Sequence, residues 1–271
     1  MLPIRRLFIV TCVAANLSCS QVDADTIGHW RFEEGTAGSL ATGGGSVLDT
    51  SPLNPASNPG NPIGGPIYSS DVPIGTVDGS ANAVSMLFDG VNDHVLVPTD
   101  APLDSNGEFT VEFWMRSGSL SNDLKLLVDK SHGFGDETGW AFQSGAGGLV
   151  GFSIGDTGGS FFPTVFSQTN LNDSQWHHLA GTYDGSEIEL FVDGLSQGTL
   201  AVGTYQSNTR DIRFGNARNG GRFFGGNLDE IRISNQALSR SQFLLAIPEP
   251  SSTVVVFATL FALGLRRQRR S

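Results

Sequence analysis

Cysteine is scarce in this sequence, and both cysteines, Cys12 and Cys19, lie close to the first residue. The stretch that contains them has the features of a secretory signal, which is removed on export. The exported chain therefore has no thiol, and disulfide frameworks and cysteine-based metal sites are excluded from it. Its fold must rest on a hydrophobic core, for which about 220 residues are ample in one domain.

Basic side chains are also few, since 16 Lys and Arg stand against 27 Asp and Glu, for a net charge of −11. Six of the arginines and two of the acidic residues, Asp23 and Glu249, lie in the two terminal segments, so the chain between those segments carries a net charge near −15. This acidity argues against nucleic acid and anionic lipid as partners. It is compatible with calcium and with neutral glycans, although its most common meaning is solubility.

Residues 1–24 predict a secretory signal peptide. A pair of arginines precedes a short apolar run, and Val22-Asp23-Ala24 offers small residues at the cleavage site. The alternative is a lipoprotein signal that ends at Cys19, but Leu17 stands one place too close to that cysteine for this signal. We therefore expect export and a mature chain that begins at residue 25.

Residues 247–271 predict a second targeting segment, in which Pro248, Glu249 and Pro250 precede the apolar run 253–265 and a cluster of arginines. As a helix the run spans about 20 Å, less than the usual hydrocarbon thickness of a membrane. The three parts in this order resemble the PEP-CTERM sorting signal. The resemblance implies recognition by an exosortase in bacteria that make exopolysaccharide. A retained transmembrane helix is the alternative, and we expect membrane contact only through the two terminal segments.

The chain between these segments has no internal repeat and no long run of apolar residues at helical spacing. Short alternating runs are instead separated by Gly and Asx turns every eight to twelve residues, which indicates strands. The predicted strands are Gly28–Phe32, Ser85–Asp89, His94–Val97, Phe109–Arg116, Leu124–Val128, Gly139–Gln143, Leu149–Ile154, Trp176–Tyr183, Glu187–Val192, Asp211–Gly215 and Asn227–Ser234.

The strand Phe109–Arg116 alternates so that Phe109, Val111, Phe113 and Met115 share one face. Many such strands must pair into two packed sheets or into a barrel. The chain length favours an all-β, two-sheet antiparallel β-sandwich of the jelly-roll type.

A stretch at about residues 36–83 is rich in Gly, Pro and Asn and poor in apolar side chains. Segments of this composition contribute little to a core. We expect an insertion on the surface of the domain, because a single predicted strand before it makes no separate domain.

Six sequence blocks resemble, in order, blocks of the LamG-like jelly-roll domains of the concanavalin A-like lectin/glucanase group. They are His29–Thr36, Leu87–Val95, Phe109–Arg116, Trp176–Gly185, Leu190–Gly194 and Gly226–Ser234. The resemblance places one domain at residues 25–246. It implies two curved antiparallel sheets and a role in binding glycans, proteins or matrix, often with calcium, but no single ligand.

The catalytic motifs that this sequence contains are weak. Gly151–Gly155 matches G-x-S-x-G, but a nucleophile elbow needs a helix after its strand, and loop residues follow here. Glycoside hydrolysis needs two carboxylates across the sugar, and the Glu-x-Asp-x-x-Glu pattern of related glucanases is absent. We predict no catalytic residue, although carboxylates from distant loops remain compatible with the sequence.

Calcium is the predicted cofactor, in a structural role. The neighbours His177 and His178 point to opposite faces of a strand and cannot share an ion. Calcium prefers carboxylate and carbonyl oxygens, and the resemblance implies Asp229 as a ligand. Other carboxylate and amide side chains near it in the sequence are further candidate ligands, and the alternative is that these residues only form turns. The full candidate set is Glu33, Asp89, Asn92, Asp93 and Asp229.

Sugar binding calls for aromatic rings and polar groups at one rim of the sandwich. Several aromatic residues flank glycine-rich segments, whereas Trp30, Trp114 and Trp176 are expected in the core. The predicted platform residues are Trp140, Phe161, Phe162, Phe223 and Phe224.

The sequence thus predicts an exported, noncatalytic binding module at the cell surface or in an extracellular matrix. Its expected partner is a glycan, with exopolysaccharide the leading class, or another matrix component. A protein-binding adhesion or structural matrix protein is the alternative, and a glycan-active enzyme is the third hypothesis.

Overall fold

The computed structural model describes residues 25–53, 57–74, 76–77, 79–120, 123–131, 137–157 and 162–245. The predicted signal peptide, the sorting residues Pro248, Glu249 and Pro250, and the predicted platform residue Phe161 lie outside these ranges. Within them, no helix is both long enough and apolar enough to cross a membrane.

The described residues form seventeen strands and two short 3-10 turns. The strands are β1 (Thr26–Trp30), β2 (Asn61–Ile63), β3 (Ile67–Ser69), β4 (Thr76–Val77), β5 (Ser80–Ala81), β6 (Ser85–Asp89), β7 (His94–Val97), β8 (Phe109–Arg116), β9 (Leu126–Asp129), β10 (Trp140–Ser144), β11 (Val150–Ile154), β12 (Thr164–Phe166), β13 (Trp176–Tyr183), β14 (Glu187–Val192), β15 (Leu195–Ala201), β16 (Ile212–Phe214) and β17 (Gly225–Ser234). The 3-10 turns are Ala146–Gly148 and Arg240–Gln242.

The strands make an antiparallel β-sandwich, which confirms the predicted fold class. The eight-stranded sheet has the order β15-β14-β13-β8-β17-β6-β3, and β1 also pairs with β17. The seven-stranded sheet has the order β12-β11-β10-β9-β16-β7-β2. Strands β4 and β5 form a small separate hairpin.

The tight turn between β14 and β15 is one of the Gly and Asx turns that were expected between strands. Asp193 has φ 50° and Gly194 has φ 71°. Two successive residues with positive φ are typical of a type I′ turn, whose twist matches that of the flanking strands. This two-residue connection brings β15 alongside β14.

The core lies between the two sheets and is rich in aromatic rings. The inward face of β8 is buried as its alternation predicts, with Phe113 fully buried. Phe113 packs edge-on against Phe142 of β10 at 4.8 Å, and Phe142 contacts Phe152 of β11 at 4.9 Å. Position 181 must be glycine, because a Cβ there would lie 2.5 Å from Cγ of Phe152. These contacts join the sheets, and each such ring contributes roughly 1.5–3 kcal/mol by burial.

The stretch at 36–83 is more ordered than its composition predicts. Strand β2 pairs with β7 in one sheet, and β3 pairs with β6 in the other. Val47 is fully buried and Tyr68 is 5% exposed within the core cluster. The prediction that this stretch has too few apolar side chains to contribute to the core is therefore wrong, because a few well-placed apolar side chains suffice between polar turns.

The outer faces of the two sheets differ. The eight-stranded sheet is covered by residues 236–245, where Leu238 and Phe243 pack on Ala180. Trp114 donates its indole N–H to the carbonyl oxygen of Leu244 at 3.0 Å. Trp176 was expected in the core, but it is half-buried and donates to Asp71 at the surface. The seven-stranded sheet instead presents an open depression on its outer face.

Candidate functional site

A groove of about 760 Å³ lies on the outer face of the seven-stranded sheet. We call it the outer-sheet groove, and its size falls within the range of roughly 300–1,000 Å³ found for ligand pockets. Strands β9 to β12 and the loop that follows β16 supply its walls and floor. The lining residues are Leu124, Leu126, Asp129, Ser131, Ala141, Gln143, Ser153, Phe162, Thr164, Phe166, Ala217, Arg218, Asn219 and Arg222.

The floor is low because small side chains alternate with large ones along β10 and β11. Side chains point to opposite faces in turn, so Phe142 and Phe152 enter the core while Ala141 and Ser153 face outward. Ser153 donates its hydroxyl to the carbonyl oxygen of Ala141 at 3.3 Å. The G-x-S-x-G match is thus part of a regular strand, as predicted, and its serine lies in the floor of the groove.

Phe166 on the edge strand β12 forms one wall and is 40% exposed. Its ring lies over the backbone of two glycines, since a Cβ at Gly145 or at Gly151 would come within van der Waals overlap of the ring. Thr164 on the same strand donates its hydroxyl to the carbonyl oxygen of Phe162 at 2.7 Å. This bond holds Phe162 beside the same wall.

The opposite wall includes the loop between β16 and β17, which carries Arg218 and Arg222. Hydrogen bonds of Ala217 with neighbouring loop residues close the loop on itself, and Leu126 N–H donates to the carbonyl oxygen of Arg222 at 3.1 Å. Arg222 has φ 53°, a left-handed conformation that the tight loop requires. The loop is therefore held against β9, with two guanidinium groups beside the groove.

Asp129 at the end of β9 is 2% exposed and lines the groove. Burial raises the pKa of Asp129 to about 6, although hydrogen bonds from the hydroxyl and the N–H of Ser131 act in the opposite direction. Arg213 and the backbone N–H of Arg218 also face this carboxyl group and favour its ionised form. Burial, together with the neighbouring Arg218, lowers the pKa of Arg213.

The structure separates the predicted platform residues. Trp140 and Phe224 are buried in the core, where Trp140 contacts Phe109, so neither is part of an exposed platform. Phe223 is half-buried beside His94 and is absent from the described lining of the groove. Phe162 does line the groove. The exposed ring of the groove is that of Phe166, which the sequence did not single out.

The predicted calcium donors lie in two separate groups. Asp89 accepts hydrogen bonds from the N–H groups of Val91, Asn92 and Asp93, and Asp93 accepts one from Asp89 N–H at 3.1 Å. These contacts close a turn next to Gly225 of β17. The turn borders a shallow depression of about 280 Å³ at one end of the sheet.

Asp229 lies four residues beyond Gly225 along β17, which is about 13 Å for a strand. Its carboxyl group is fully buried and bonded to Asn82 at 2.9 Å and to Glu230 N–H at 2.9 Å. Burial, with nearby Glu230 and Glu33, raises the pKa of Asp229 well above its usual range. Glu33 itself accepts hydrogen bonds from two backbone N–H groups at 2.9 and 3.0 Å.

These five donors do not fit one calcium site. Each of the four carboxyl groups already accepts hydrogen bonds from N–H groups, and Asp229, the ligand that the resemblance implies, favours its neutral form. Among the described residues, no group of three or more His, Cys, Asp or Glu side chains is placed to hold a metal ion. A structural calcium in this chain stays a prediction.

The two adjacent histidines face opposite sides of β13, as predicted. His177 is hydrogen-bonded to Asp193 at 2.9 Å near the surface. His178 is fully buried and bonded to Glu112 at 2.9 Å. Both therefore have structural partners.

The sequence and the fold were compared with protein families and with solved structures. The family model described as the concanavalin A-like lectin/glucanases superfamily matches residues 89–242. No protein with a curated description matches the chain.

Many solved structures share the architecture at low identity. The binding domain of botulinum neurotoxin serotype D is 12% identical, with a TM-score of 0.57 over 80% of this chain and 50% of that chain. The binding domain of botulinum neurotoxin DC, in complex with rat synaptotagmin II, is 13% identical with a TM-score of 0.59, over 80% and 49%. This chain thus spans about half of each toxin domain.

Domain 4 of a GH43 extracellular arabinanase from Geobacillus stearothermophilus, in complex with arabinotriose, is 16% identical with a TM-score of 0.58. That match covers 81% of this chain and 96% of the arabinanase domain. Identities this low show a shared fold alone.

Proposed function

The chain belongs to the concanavalin A-like lectin/glucanase superfamily, and from this membership and the outer-sheet groove we propose that it is a noncatalytic polysaccharide-binding module. The observation that carries the proposal is the half-exposed ring of Phe166 beside a floor of small residues. An aromatic face attracts the weakly positive C–H groups of a sugar ring. The small side chains of Ala141 and Ser153 in the floor leave room for a chain of sugar units along the sheet.

Polar groups around the ring support the same ligand class. Gln143, Ser153 and Asn219 line the groove and supply donors and acceptors for hydroxyl groups. A few polar groups in a largely apolar concave site are typical of ligand pockets. The arabinanase domain of the same fold is described in complex with arabinotriose, which favours a glycan over a peptide as the first ligand to test.

The residues that line the groove favour binding without hydrolysis. Hydrolysis of a glycosidic bond requires a pair of carboxylates on either side of it. Among the described lining residues, Asp129 is the only carboxylate. Release of reducing sugar from any bound glycan would contradict the noncatalytic proposal.

The first experiment measures binding of the full-length chain to a glycan panel that includes arabinan and bacterial exopolysaccharide. We expect Phe166→Ala to weaken glycan binding by about tenfold, since stacking on a ring contributes on the order of 1 kcal/mol or more. Phe223→Ala is the matched control, because its ring lies beside His94 and outside the described groove. Equal losses in both variants would contradict the placement of the site.

A protein partner is the second candidate function. One toxin binding domain of the same fold is described in complex with rat synaptotagmin II. Absence of glycan binding throughout the panel would favour this candidate or a structural role in a matrix.

The proposal extends to location, on the basis of the terminal segments. We propose that the chain is exported and then processed near Pro248, Glu249 and Pro250 by an exosortase-type enzyme at the cell surface. Mass spectrometry of the surface and secreted fractions tests this, with a product that ends near residue 248 expected. A chain that keeps residues 253–265 in the membrane fraction would support a retained anchor instead.

A further inference from the structure

The outer-sheet groove is locally basic although the chain as a whole carries a net charge of −11. Arg218 and Arg222 line it, and Arg213 lies close enough to Arg218 for the two guanidinium groups to repel each other. Against these three cations stands Asp129, the only carboxylate among the described lining residues. Although Asp211 also acts on Arg213, the described lining residues carry a net positive charge, opposite in sign to that of the chain.

One of these cations has an unused donor. The Nη1 atom of Arg218 is buried and has no hydrogen-bond partner among the described residues. A buried donor without an acceptor is destabilising, because the group has lost its contacts with water. An acceptor carried by a ligand in the groove would satisfy this donor.

The backbone fixes where these cations lie. Arg222 is held by the hydrogen bond from Leu126 N–H to its carbonyl oxygen, and the Arg218 N–H donates to Asp129. The loop therefore needs no rearrangement of its backbone to present both residues at the groove. Preorganised charges lose little entropy when a ligand binds.

We infer that the outer-sheet groove selects an acidic polysaccharide, with Arg218 and Arg222 binding a carboxylate of one sugar unit while Phe166 stacks on a neighbouring unit. The planar guanidinium group matches a carboxylate through two parallel hydrogen bonds. This inference rests on the proposed function and adds the charge of the ligand. A hydroxyl oxygen of a neutral glycan can also accept from the buried donor, but it brings no negative charge to pair with the guanidinium groups.

The test compares two polymers that share one sugar backbone, with the carboxyl groups ionised in one and methyl-esterified in the other. Binding of the full-length chain to polygalacturonate is measured beside binding to its fully methyl-esterified form, at low and at high NaCl concentration. Dextran sulfate against dextran is the second pair, and it distinguishes a sulfate from a carboxylate. The protein variants are Arg218→Gln and Arg222→Gln, with Arg240→Gln as the matched control.

The control removes the same charge from the exposed turn Arg240–Gln242, which belongs to the segment that covers the opposite sheet. We expect polygalacturonate to bind more tightly than its ester and to weaken as salt rises. Arg218→Gln and Arg222→Gln should each lower that affinity by about fivefold or more, as expected for a charged hydrogen bond, while Arg240→Gln leaves it unchanged.

Each remaining outcome overturns the inference in a distinct way. Equal binding of the acid and the ester, insensitive to both groove variants, removes the charge selectivity but leaves polysaccharide binding intact. A preference for dextran sulfate over dextran without one for polygalacturonate overturns the choice of a carboxylate. Equal losses in all three arginine variants would place the charge effect outside the groove. No binding to any polymer would overturn the proposed function together with the inference.

Discussion

A Cβ atom on Gly151 would lie 2.7 Å from Cε1 of Phe166, so the absence of a side chain at position 151 sets the position of the exposed ring. The same Cβ would lie 2.7 Å from Cγ2 of Thr164 on β12. The strand backbone at Gly151 has no positive φ and accepts other residues. The side chains of β12 must therefore move if this glycine is replaced.

Gly151→Ala is expected to tilt the Phe166 ring away from the groove and to weaken glycan binding by about two- to tenfold, the range of one aromatic contact. Isothermal titration measures the affinity, and thermal melting shows that the sheet remains folded. Gly107→Ala is the control, because a Cβ there makes only an ordinary contact, 3.4 Å from the Ser105 hydroxyl oxygen. Unchanged affinity in Gly151→Ala would mean that the ring is not part of the site.

Asp129→Asn is expected to stabilise the protein at high pH. The folded-state pKa of Asp129 is about 6, above its ordinary value of 3.8. An acid with a raised folded pKa loses stability as pH rises between these two values, and at pH 8 the cost is at most roughly 3 kcal/mol. The melting temperature of the variant should therefore be a few degrees above that of the parent protein at pH 8. Below pH 4 the two melting temperatures should be equal. A gain that is independent of pH would contradict this origin.

The pH should also affect the affinity for the inferred acidic ligand. Asp129 faces Ser131, Arg213 and the backbone N–H of Arg218, and its negative charge opposes an acidic glycan. Protonation of Asp129 below about pH 6 removes that charge, while the carboxylates of the glycan stay ionised to about pH 4. Affinity for polygalacturonate should therefore rise between pH 7.5 and 5 in the parent protein and change little in Asp129→Asn. A parallel rise in both proteins would assign the pH effect to other groups.

The strands with clean alternation could be predicted from the sequence to the residue. The bounds of β8 (Phe109–Arg116) follow from its apolar side chains at every second position, although the structure buries both faces of this strand. β15 (Leu195–Ala201) was missed, because it is an edge strand with little burial on either face. β12 (Thr164–Phe166) was missed because three residues are too few to show a period.

The groove was harder to predict than the sheets. Phe166 is exposed because glycines at 145 and 151, on other segments, leave space under its ring. Asp129 and Arg218 line the same groove only because β9 and β16 are neighbours in one sheet. Such proximity depends on strand order, which residue types do not reveal. The sequence therefore predicted the sandwich, but the aromatic residues predicted for the sugar-binding platform included core residues such as Trp140.

Calcium is expected to leave thermal stability unchanged within about 1 °C, since a ligand stabilises the folded state only when its concentration is comparable to or above its dissociation constant. Oδ1 of Asp89 already accepts hydrogen bonds from three backbone N–H groups, and Asp229 favours its neutral form. Melting of the full-length chain in calcium and in EGTA measures this directly. A rise of several degrees with calcium, abolished by Asp229→Asn, would instead support the calcium site that the sequence predicted.

Glu112 is expected to hold the segment 236–245 on the outer face of the eight-stranded sheet. Its carboxylate is fully buried and accepts hydrogen bonds from His178 at 2.9 Å, from the guanidinium group of Arg232 at 2.7 Å and from Leu244 N–H at 2.8 Å. Although burial acts in the opposite direction, these partners lower the pKa of Glu112. A carboxyl group with a lowered folded pKa stabilises above its ordinary value of 4.5 and loses this effect as pH falls through the folded value.

Glu112→Gln should therefore lower the free energy of unfolding by on the order of 2 kcal/mol at pH 7, because an amide binds Arg232 more weakly than a carboxylate does. Urea denaturation measures this loss, which should shrink as the pH falls well below 4.5. Hydrogen exchange of residues 236–245 should accelerate in the same variant, since their N–H anchor at Leu244 is weakened. Glu108→Gln is the control, because Glu108 is exposed just before β8. Equal stability of the two variants would mean that the covering segment is held by Leu238 and Phe243 alone.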